Sequence, residues 1–349
     1  MFKAFKYRIY PTEEQMAKID KTIGVCRFIY NLALETKIYA YKSSGVNLTS
    51  YALGYQLSAL KQDHSWIGEV DSQALYGSID KIDKSFKNFF NGAGFPKFKR
   101  KSTGGSFNTH GKVRRIDWVE STLTIPKIKN IPIVLSKPFV GEIKTVTITK
   151  TTTGKYFASV LVNMDDALPS KPIVSRSTAI GIDVGIKSVA VTSDGKSFNS
   201  NRKLKNNLKR LQCLQRSESL KKKGSNNRKK ANLQVAILYE KITNQRTDYI
   251  HKTTSTIVKG DSQTFVIEDL NVAGMLKNRK LSQALSDVSF GEFFRQMKYK
   301  CEWYGKNLIT IGRFEPTSKK CSDCGELNQE LTLADREWSC VCGAIHDRD

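Results

Sequence analysis

Asp183 lies in Gly181-Ile182-Asp183-Val184-Gly185-Ile186-Lys187 at the end of an apolar run, and Glu268 and Asp269 close the run Phe265-Val266-Ile267. Carboxylates at the ends of core strands are costly to bury alone, and they repel one another when gathered. A site that collects them is expected to hold a cation, and hard oxygen ligands with room for phosphate favour Mg²⁺. Two such ions would activate a water and stabilise the leaving oxygen in phosphodiester hydrolysis. The glycines around Asp183 would let a large group approach the backbone. The competing reading makes Asp183 and Glu268 turn or cap residues.

A second ligand set crowds the carboxyl end. Cys321 and Cys324 are followed by Cys340 and Cys342, four thiols that match a closed tetrahedral zinc site. Four protein ligands leave no open position, so one structural zinc is expected rather than a catalytic one. The Cys340-Val341-Cys342 half is tighter than a usual knuckle, which makes His346 a weaker alternative as fourth ligand. Cys26, Cys213 and Cys301 stand alone, unlike the even spread of a secreted disulfide framework.

Other chemistries are narrowed by what the sequence lacks. It has no glycine-rich loop ending in Gly-Lys-Ser/Thr, no dinucleotide fingerprint, and its four histidines are too scattered for an HExxH site. Lys and Arg number 57 against 33 Asp and Glu, a net charge of +24, in a chain that is 39% hydrophobic. A folded protein of that charge is expected to meet a polyanion, since phosphate neutralisation dominates non-specific nucleic-acid affinity. No apolar stretch approaches a membrane span. The opening MFKAFKYRIY does not read as a secretory signal, so the expected location is the cytoplasm.

The elements that must position these residues follow from periodicity. The 349 residues suffice for two or three domains. Residues 2–10 alternate as a strand, and Thr12-Glu13-Glu14-Gln15 after Pro11 is a capping box that begins a helical region running to about Phe90. From Phe95 to Arg115 come Lys97, Lys99, Arg100, Lys101, Lys112, Arg114 and Arg115 with no acid, interleaved with Phe95, Phe98 and Phe107. This predicts a nucleic-acid-contacting loop, against a solvated loop with aromatic anchors. Residues 116–162 read as short strands of a small barrel, and 165–178, rich in Pro and Ser, as a boundary. Beyond it, strands are predicted at Ala179–Val184, Thr264–Asp269 and Leu308–Phe314, a hairpin turns at Asp194-Gly195, and a helix spans Ser289–Tyr304. Alternating strands and helices imply an α/β sheet. Between them, residues 201–230 carry twelve bases against the single acid Glu218, over a stripe of Leu204, Leu208, Leu211 and Leu214. That pattern predicts a basic helix, a turn at Gly224-Ser225 and a long second helix, with Arg210, Lys221, Lys222, Lys223 and Arg228 as candidate phosphate contacts.

Several segments in this order resemble the TnpB (OrfB-type) proteins of bacterial insertion sequences, relatives of the compact type V CRISPR effectors. They are Tyr7-Arg8-Ile9-Tyr10-Pro11, Cys26-Arg27-Phe28-Ile29-Tyr30-Asn31, Gly94-Phe95-Pro96-Lys97-Phe98-Lys99, Gly181-Ile182-Asp183-Val184-Gly185, Lys223-Gly224-Ser225 with Arg228, and Ile267-Glu268-Asp269-Leu270-Asn271-Val272. The cysteine pairs with Trp338 and the ending His346-Asp347-Arg348-Asp349 complete the set. The resemblance implies an α/β plus β-barrel, multidomain fold. A wedge β-barrel would occupy 1–11 and 95–165, a helical recognition insert 12–94, and a linker 166–178. An RNase H-like (RuvC) nuclease domain would take 179–315 and 343–349, and a zinc ribbon 316–342.

It further implies a guide RNA from the transposon end, a double-stranded target DNA, and cleavage by three acids: Asp183, Glu268 and Asp349, with Asp347 and Asp269 as neighbours that could be mistaken for them. Arg336 would be a lesser candidate for steering a phosphate. The sequence given ends at Asp349, where family members continue into an Asn- and Ala-rich helix that helps hold the third acid, so weak cutting is expected of it. Two rivals stay open: a DNA transposase performing strand transfer, and an RNA-guided DNA-binding repressor without cleavage.

Overall fold

Alternation in the first nine residues builds strand β1 (Phe2–Ile9), whose Tyr7 and Ile9 turn inward and are almost fully buried. The capping box then starts a helix as expected: the Thr12 N–H donates to Gln15 Oε1 at 3.0 Å and the Gln15 N–H to Thr12 Oγ1 at 3.3 Å. In the computed structural model, which describes residues 1–101, 104–110, 114–165, 167–313, 315–316, 319–332, 335 and 337–347, the side chain of Asp347 excepted, the chain divides into two units, Met1–Ala167 and Leu168–Asp349.

In the first unit, helix α1 (Glu13–Ser44) buries Ile19, Ile23, Cys26, Tyr30 and Leu34 along one stripe. Helices α2 (Ser50–Asp63), α3 (Ser65–Gly68) and α4 (Ser72–Phe90) follow, the last capped by Asp71 and burying Leu75, Ile79 and Ile82. Strands β2 (Gly105–Thr109), β3 (Arg115–Asp117), β4 (Thr122–Ile125), β5 (Ile128–Val134), β6 (Glu142–Lys150) and β7 (Tyr156–Asn163) join β1 in a sheet of order β2-β6-β7-β1-β5-β4-β3. Helices and sheet share one core. The predicted strand region began at 116, but pairing already starts at Gly105, where a Cβ would lie 2.2 Å from Ile23 Cγ2. Only glycine allows that approach to α1. Phe107, predicted in a nucleic-acid loop, is a core residue 2% exposed, because its strand points it at the helices.

The second unit opens with an antiparallel meander, β8 (Ala179–Asp183), β9 (Ser188–Thr192) and β10 (Ser197–Asn199), turning at Gly195 with φ +84°. Helices α5 (Lys203–Ser219) and α6 (Asn226–Lys259) lead to β11 (Thr264–Glu268), and α7 (Val272–Met275), α8 (Ser282–Val288) and α9 (Phe290–Trp303) to β12 (Asn307–Ile311). The sheet order is β10-β9-β8-β11-β12, with β11 parallel to both β8 and β12. Its core gathers Ile182, Val189, Phe265 and Ile267 with Phe290, Phe293 and Met297 of α9. The predicted leucine stripe closes the helix pair through Leu211 against Leu238 and Ile242. Two side chains far in sequence cap these helices: Asp287 accepts from the N–H groups of Leu204 and Lys205 at 2.9 and 3.1 Å, and the Lys306 ammonium donates to the carbonyls of Gly260 and Ser262 at 2.5 and 2.8 Å. A two-stranded ribbon, β13 (Glu337–Ser339) and β14 (Ile345–Asp347), follows. Among the described residues no helix is long and apolar enough to cross a membrane.

Candidate metal centres and nucleic-acid surfaces

Parallel pairing runs from Thr264 opposite Ala179 to Ile267 opposite Ile182, so the next residues, Glu268 and Asp183, stand level at the carboxyl ends of adjacent strands. Registered residues of parallel strands share a face, and the carboxyl end of an open α/β sheet is where such folds bind ligands. The two acids were expected to be buried. Asp183 is instead exposed and Glu268 half-buried, because Ile182 and Ile267 are the last core residues of their strands and the acids lie one step beyond. The two residues thus end adjacent strands at the same level without full burial.

Neighbouring Asp269 is bound elsewhere. Its N–H donates to the Ile311 carbonyl at 3.1 Å, while Arg313 donates to its carbonyl at 3.2 Å and to its carboxylate at 2.9 Å. Asp269 thus ties the end of β11 to the turn after β12, and only Glu268 is level with Asp183. Asp349 and Arg336 lie outside the described residues, as does the side chain of Asp347.

The four cysteines come together as their spacing predicts. Their sulfurs all lie within 4.8 Å of one another, with Cys321 to Cys342 at 3.6 Å and Cys324 to Cys340 at 3.5 Å. A tetrahedral ion with metal–sulfur bonds of about 2.3 Å sets its sulfurs about 3.8 Å apart, so this cluster could hold a metal ion. Two tight turns make it: the Gly325 N–H donates to the Cys321 carbonyl at 3.0 Å, and the Gly343 N–H to the Cys340 carbonyl at 2.9 Å. Cys342, in the short Cys-x-Cys half, joins the cluster, and His346 stands beside it, its Nε2 3.0 Å from Cys321 Sγ.

Electrostatics in the cluster are uneven. The Cys321 thiol is pulled down to about 5, first by the Cys324 backbone N–H, with the Asp323 N–H and His346 adding. At Cys324 the Glu326 N–H pulls the same way, but contacts with the thiols of Cys340, Cys321 and Cys342 push it up to about 12. One thiolate forms readily and the next resists, a repulsion that a divalent cation removes.

The basic candidates differ in exposure and in what holds them. Lys97, Arg100, Lys101, Arg210, Lys222 and Lys223 are exposed. Lys99 is held: its N–H donates to Asn31 Oδ1 at 2.8 Å, Asn31 Nδ2 donates back to its carbonyl at 3.0 Å, and its ammonium lies 3.7 Å from the Tyr30 ring centroid. Although much of that residue is exposed, burial of the ammonium, and then the nearby charge of Lys81, push it down to about 8. Lys99 and Arg100 border a cavity of about 510 Å³ together with Arg27 and Lys150. Arg228 turns inward, donating to the Lys221 carbonyl at 3.0 Å and to Glu218 at 2.7 Å, so it clasps the turn between α5 and α6. Lys221 is half-buried beneath it. The clasp by Asn31 and the caps by Asp287 and Lys306 had no sequence signal, since each joins residues more than forty positions apart.

Three family models match: a "Helix-turn-helix domain" of the OrfB/IS605 group over residues 1–45, its "Probable transposase" model over 159–279, and a "Cas12f1-like, TNB domain" over 290–349. A protein of Streptomyces pristinaespiralis named "Putative RNA-guided DNA endonuclease" is 36% identical over 355 residues, spanning 99% of this chain and 86% of that one. The chain belongs to the TnpB (OrfB-type) family. Another relative, InsQ of Escherichia coli (strain K12), carries the same description and is 29% identical, covering 97% of this chain and 87% of its own. Among solved structures, the Cas12f1 chain of a cryo-EM complex with sgRNA and target DNA superposes with a TM-score of 0.57 at 15% identity, covering 95% of this chain and 93% of that one. The mixed α/β fold with several sheets is thus shared with that Cas12f1 chain. Within 1–45 the structure has β1 and the single continuous helix α1, with no second helix in the matched range.

Proposed function

We propose that this member of the family is an RNA-guided DNA endonuclease that hydrolyses phosphodiester bonds at a carboxylate site, and the observation that carries the reading is the level placement of Asp183 and Glu268 on adjacent parallel strands. The order β10-β9-β8-β11-β12, three antiparallel strands followed by two parallel ones, supports an RNase H-like (RuvC) domain over 179–315 and 343–349. The sheet of the first unit supports a wedge domain over 1–11 and 95–165, with the helices of 12–94 as its recognition insert. Residues 166–178 are the linker and 316–342 the zinc ribbon.

Asp183, Glu268 and Asp349 are the carboxylates that would hold Mg²⁺. When bound, two such ions supply an activated water and charge neutralisation at the leaving oxygen. Asp183 is registered opposite Val191 of β9 and Glu268 opposite Ile311 of β12, so each acid is fixed by pairing on one side. Glu268 orients from the next strand, and the Arg313 clamp on Asp269 keeps the end of β11 from fraying. The thiolates of Cys321, Cys324, Cys340 and Cys342 would take one Zn²⁺ and stiffen the ribbon. Exposed Lys97, Arg100, Lys101, Arg210, Lys222 and Lys223 would meet nucleic-acid phosphates, with Arg336 of the ribbon segment a lesser candidate.

RNA that copurifies with the chain, and that directs Mg²⁺-dependent cleavage of a matched plasmid, is the deciding result. Strand joining without any bound RNA would favour the transposase, and RNA-directed binding without cleavage the repressor.

A further inference from the structure

A cleft of about 600 Å³ opens in the first unit between the second half of α1, the segment before α2 and the end of α4. Its walls are aromatic. Phe86, Phe89 and Phe90 come from α4, and Phe95 stands edge-on to Phe86 and Phe89 with ring centroids 5.6 and 5.3 Å apart. Tyr41 of α1 lines the other side; it is 65% exposed, and Phe90 is 78% exposed. Aromatic rings grouped at a formed cleft, unlike rings exposed singly, are a feature of interaction sites.

The polar groups suit a particular kind of partner. The Lys37 ammonium is buried, hydrogen-bonded to the Leu48 carbonyl and 3.3 Å from Asp83, and it lies 5.4 Å from the Phe86 centroid. Asp83 also accepts from the Ser50 N–H at 2.9 Å, so this corner of the cleft is rigid. Asn47 borders the same space, while Lys42 and Lys87 are exposed at its rim. Aromatic faces, a few convergent hydrogen-bonding groups and lysines at the mouth match a flat heteroaromatic base that carries a phosphate. A volume of this size holds one nucleotide and no duplex.

We propose that this cleft receives a single unstacked ribonucleotide of the guide RNA, an inference that rests on the RNA-guided reading above. Folded RNA offers bulged and looped bases that can be splayed onto aromatic rings. A target strand paired with its guide offers none, which leaves the displaced DNA strand as the competing source. Charge favours either nucleic acid over a protein segment, since the chain carries a net +24.

The test begins with the full chain and the RNA that copurifies with it, irradiated, digested and analysed by mass spectrometry. A ribonucleotide adduct on Tyr41, Phe90 or Phe95 is expected. The double variant Tyr41→Ala/Phe90→Ala removes two exposed rings and should melt like the parent, yet bind the same labelled RNA about 5- to 100-fold more weakly. Tyr39→Ala, which removes a ring 72% exposed on α1 but outside the cleft, should bind as the parent does. Equal losses in the two variants, or no loss in the double variant, would overturn the cleft while leaving guidance intact. Adducts that are deoxyribonucleotides, formed only after matched DNA is added, would assign the cleft to the displaced strand and refute the RNA occupant. If the parent chain held its copurified RNA no tighter than random RNA of equal length, the guided reading itself would fall.

Discussion

Four cysteines within 22 residues meet through two tight turns, whereas Asp183 and Glu268, separated by 85 positions, meet because β8 and β11 pair in parallel. Each set brings together groups that can be anionic, but the forces that assemble them differ. In the ribbon, the local chain does nearly everything: backbone N–H groups lower Cys321, and among the described residues the core is a small cluster of Leu331 and Trp338 with Cys321 and Cys340, against which Ala344 packs. At the carboxyl end of the sheet, the acids are positioned by the whole core of the second unit, by Phe265, Ile267 and the α9 phenylalanines that fix the strands in register. A ligand set built locally should depend on its metal for order. One built on a large core should keep its order when a ligand is removed, and lose only chemistry.

That contrast can be broken first at Asp183. Asp183→Ala should lower RNA-directed plasmid cleavage at least about a thousandfold, since the metal's contribution to the transition state is worth several kcal/mol, while the melting temperature and target binding stay near the parent's. Retained cleavage would remove Asp183 from the mechanism. The ribbon should behave in the opposite way. Cys324→Ala should take bound zinc from about one per chain to none by elemental analysis, and hydrogen exchange should show residues 319–347 losing protection, because thiolate ligation is itself folding free energy. His346→Ala should keep its zinc; zinc lost there but kept in Cys342→Ala would make His346 the ligand.

Charges on the basic hairpin sharpen the same distinction between local scaffold and working surface. Arg228→Ala should cost about 1 to 2 kcal/mol in stability, since it strands Glu218 and frees the Lys221 carbonyl. Neutralising Lys221, Lys222 and Lys223 together should cost little stability but flatten the salt dependence of nucleic-acid binding by about 2 units, one for each of the exposed Lys222 and Lys223. A slope that stays steep in the triple variant would mark that face as merely solvated. The smallest effect is expected at Asp269→Asn. Its ion pair with Arg313 is largely exposed, so the loss should be under about 1 kcal/mol, with cleavage close to the parent's; cleavage falling as far as in Asp183→Ala would show that the wrong acid had been chosen on β11.

Much of the framework could be read in advance because its signals are local. The capping box at Thr12, the hairpin at Asp194-Gly195, the leucine stripe of α5 and the turn before α6 each formed as their residues require. The segment after Phe95 was harder. A run of bases and phenylalanines looks the same whether its rings stack on nucleic acid or on the protein, and here Phe107 enters the core, Phe95 packs on α4, and Phe98 stays half exposed. Alternation over five residues of β2 was masked by the positive charge around it. Arg228 was misleading for a similar reason: within a basic run, composition does not reveal which guanidinium turns inward to the one acid.

What the amino-acid sequence by itself determined is the chemistry available: the thiols and their turns, the carboxylates at the ends of apolar runs, and a charge that calls for a polyanion. Those properties belong to residue types and to neighbours a few positions apart, where steric and hydrogen-bonding rules act directly. Only the tertiary structure decided which residues meet. Strand register made Glu268 rather than Asp269 the companion of Asp183, and Arg313 took Asp269 away. Helix packing turned scattered phenylalanines and Lys37 into a cleft. Register and packing are settled by burying a whole core at once, a cooperative free energy that no single segment carries.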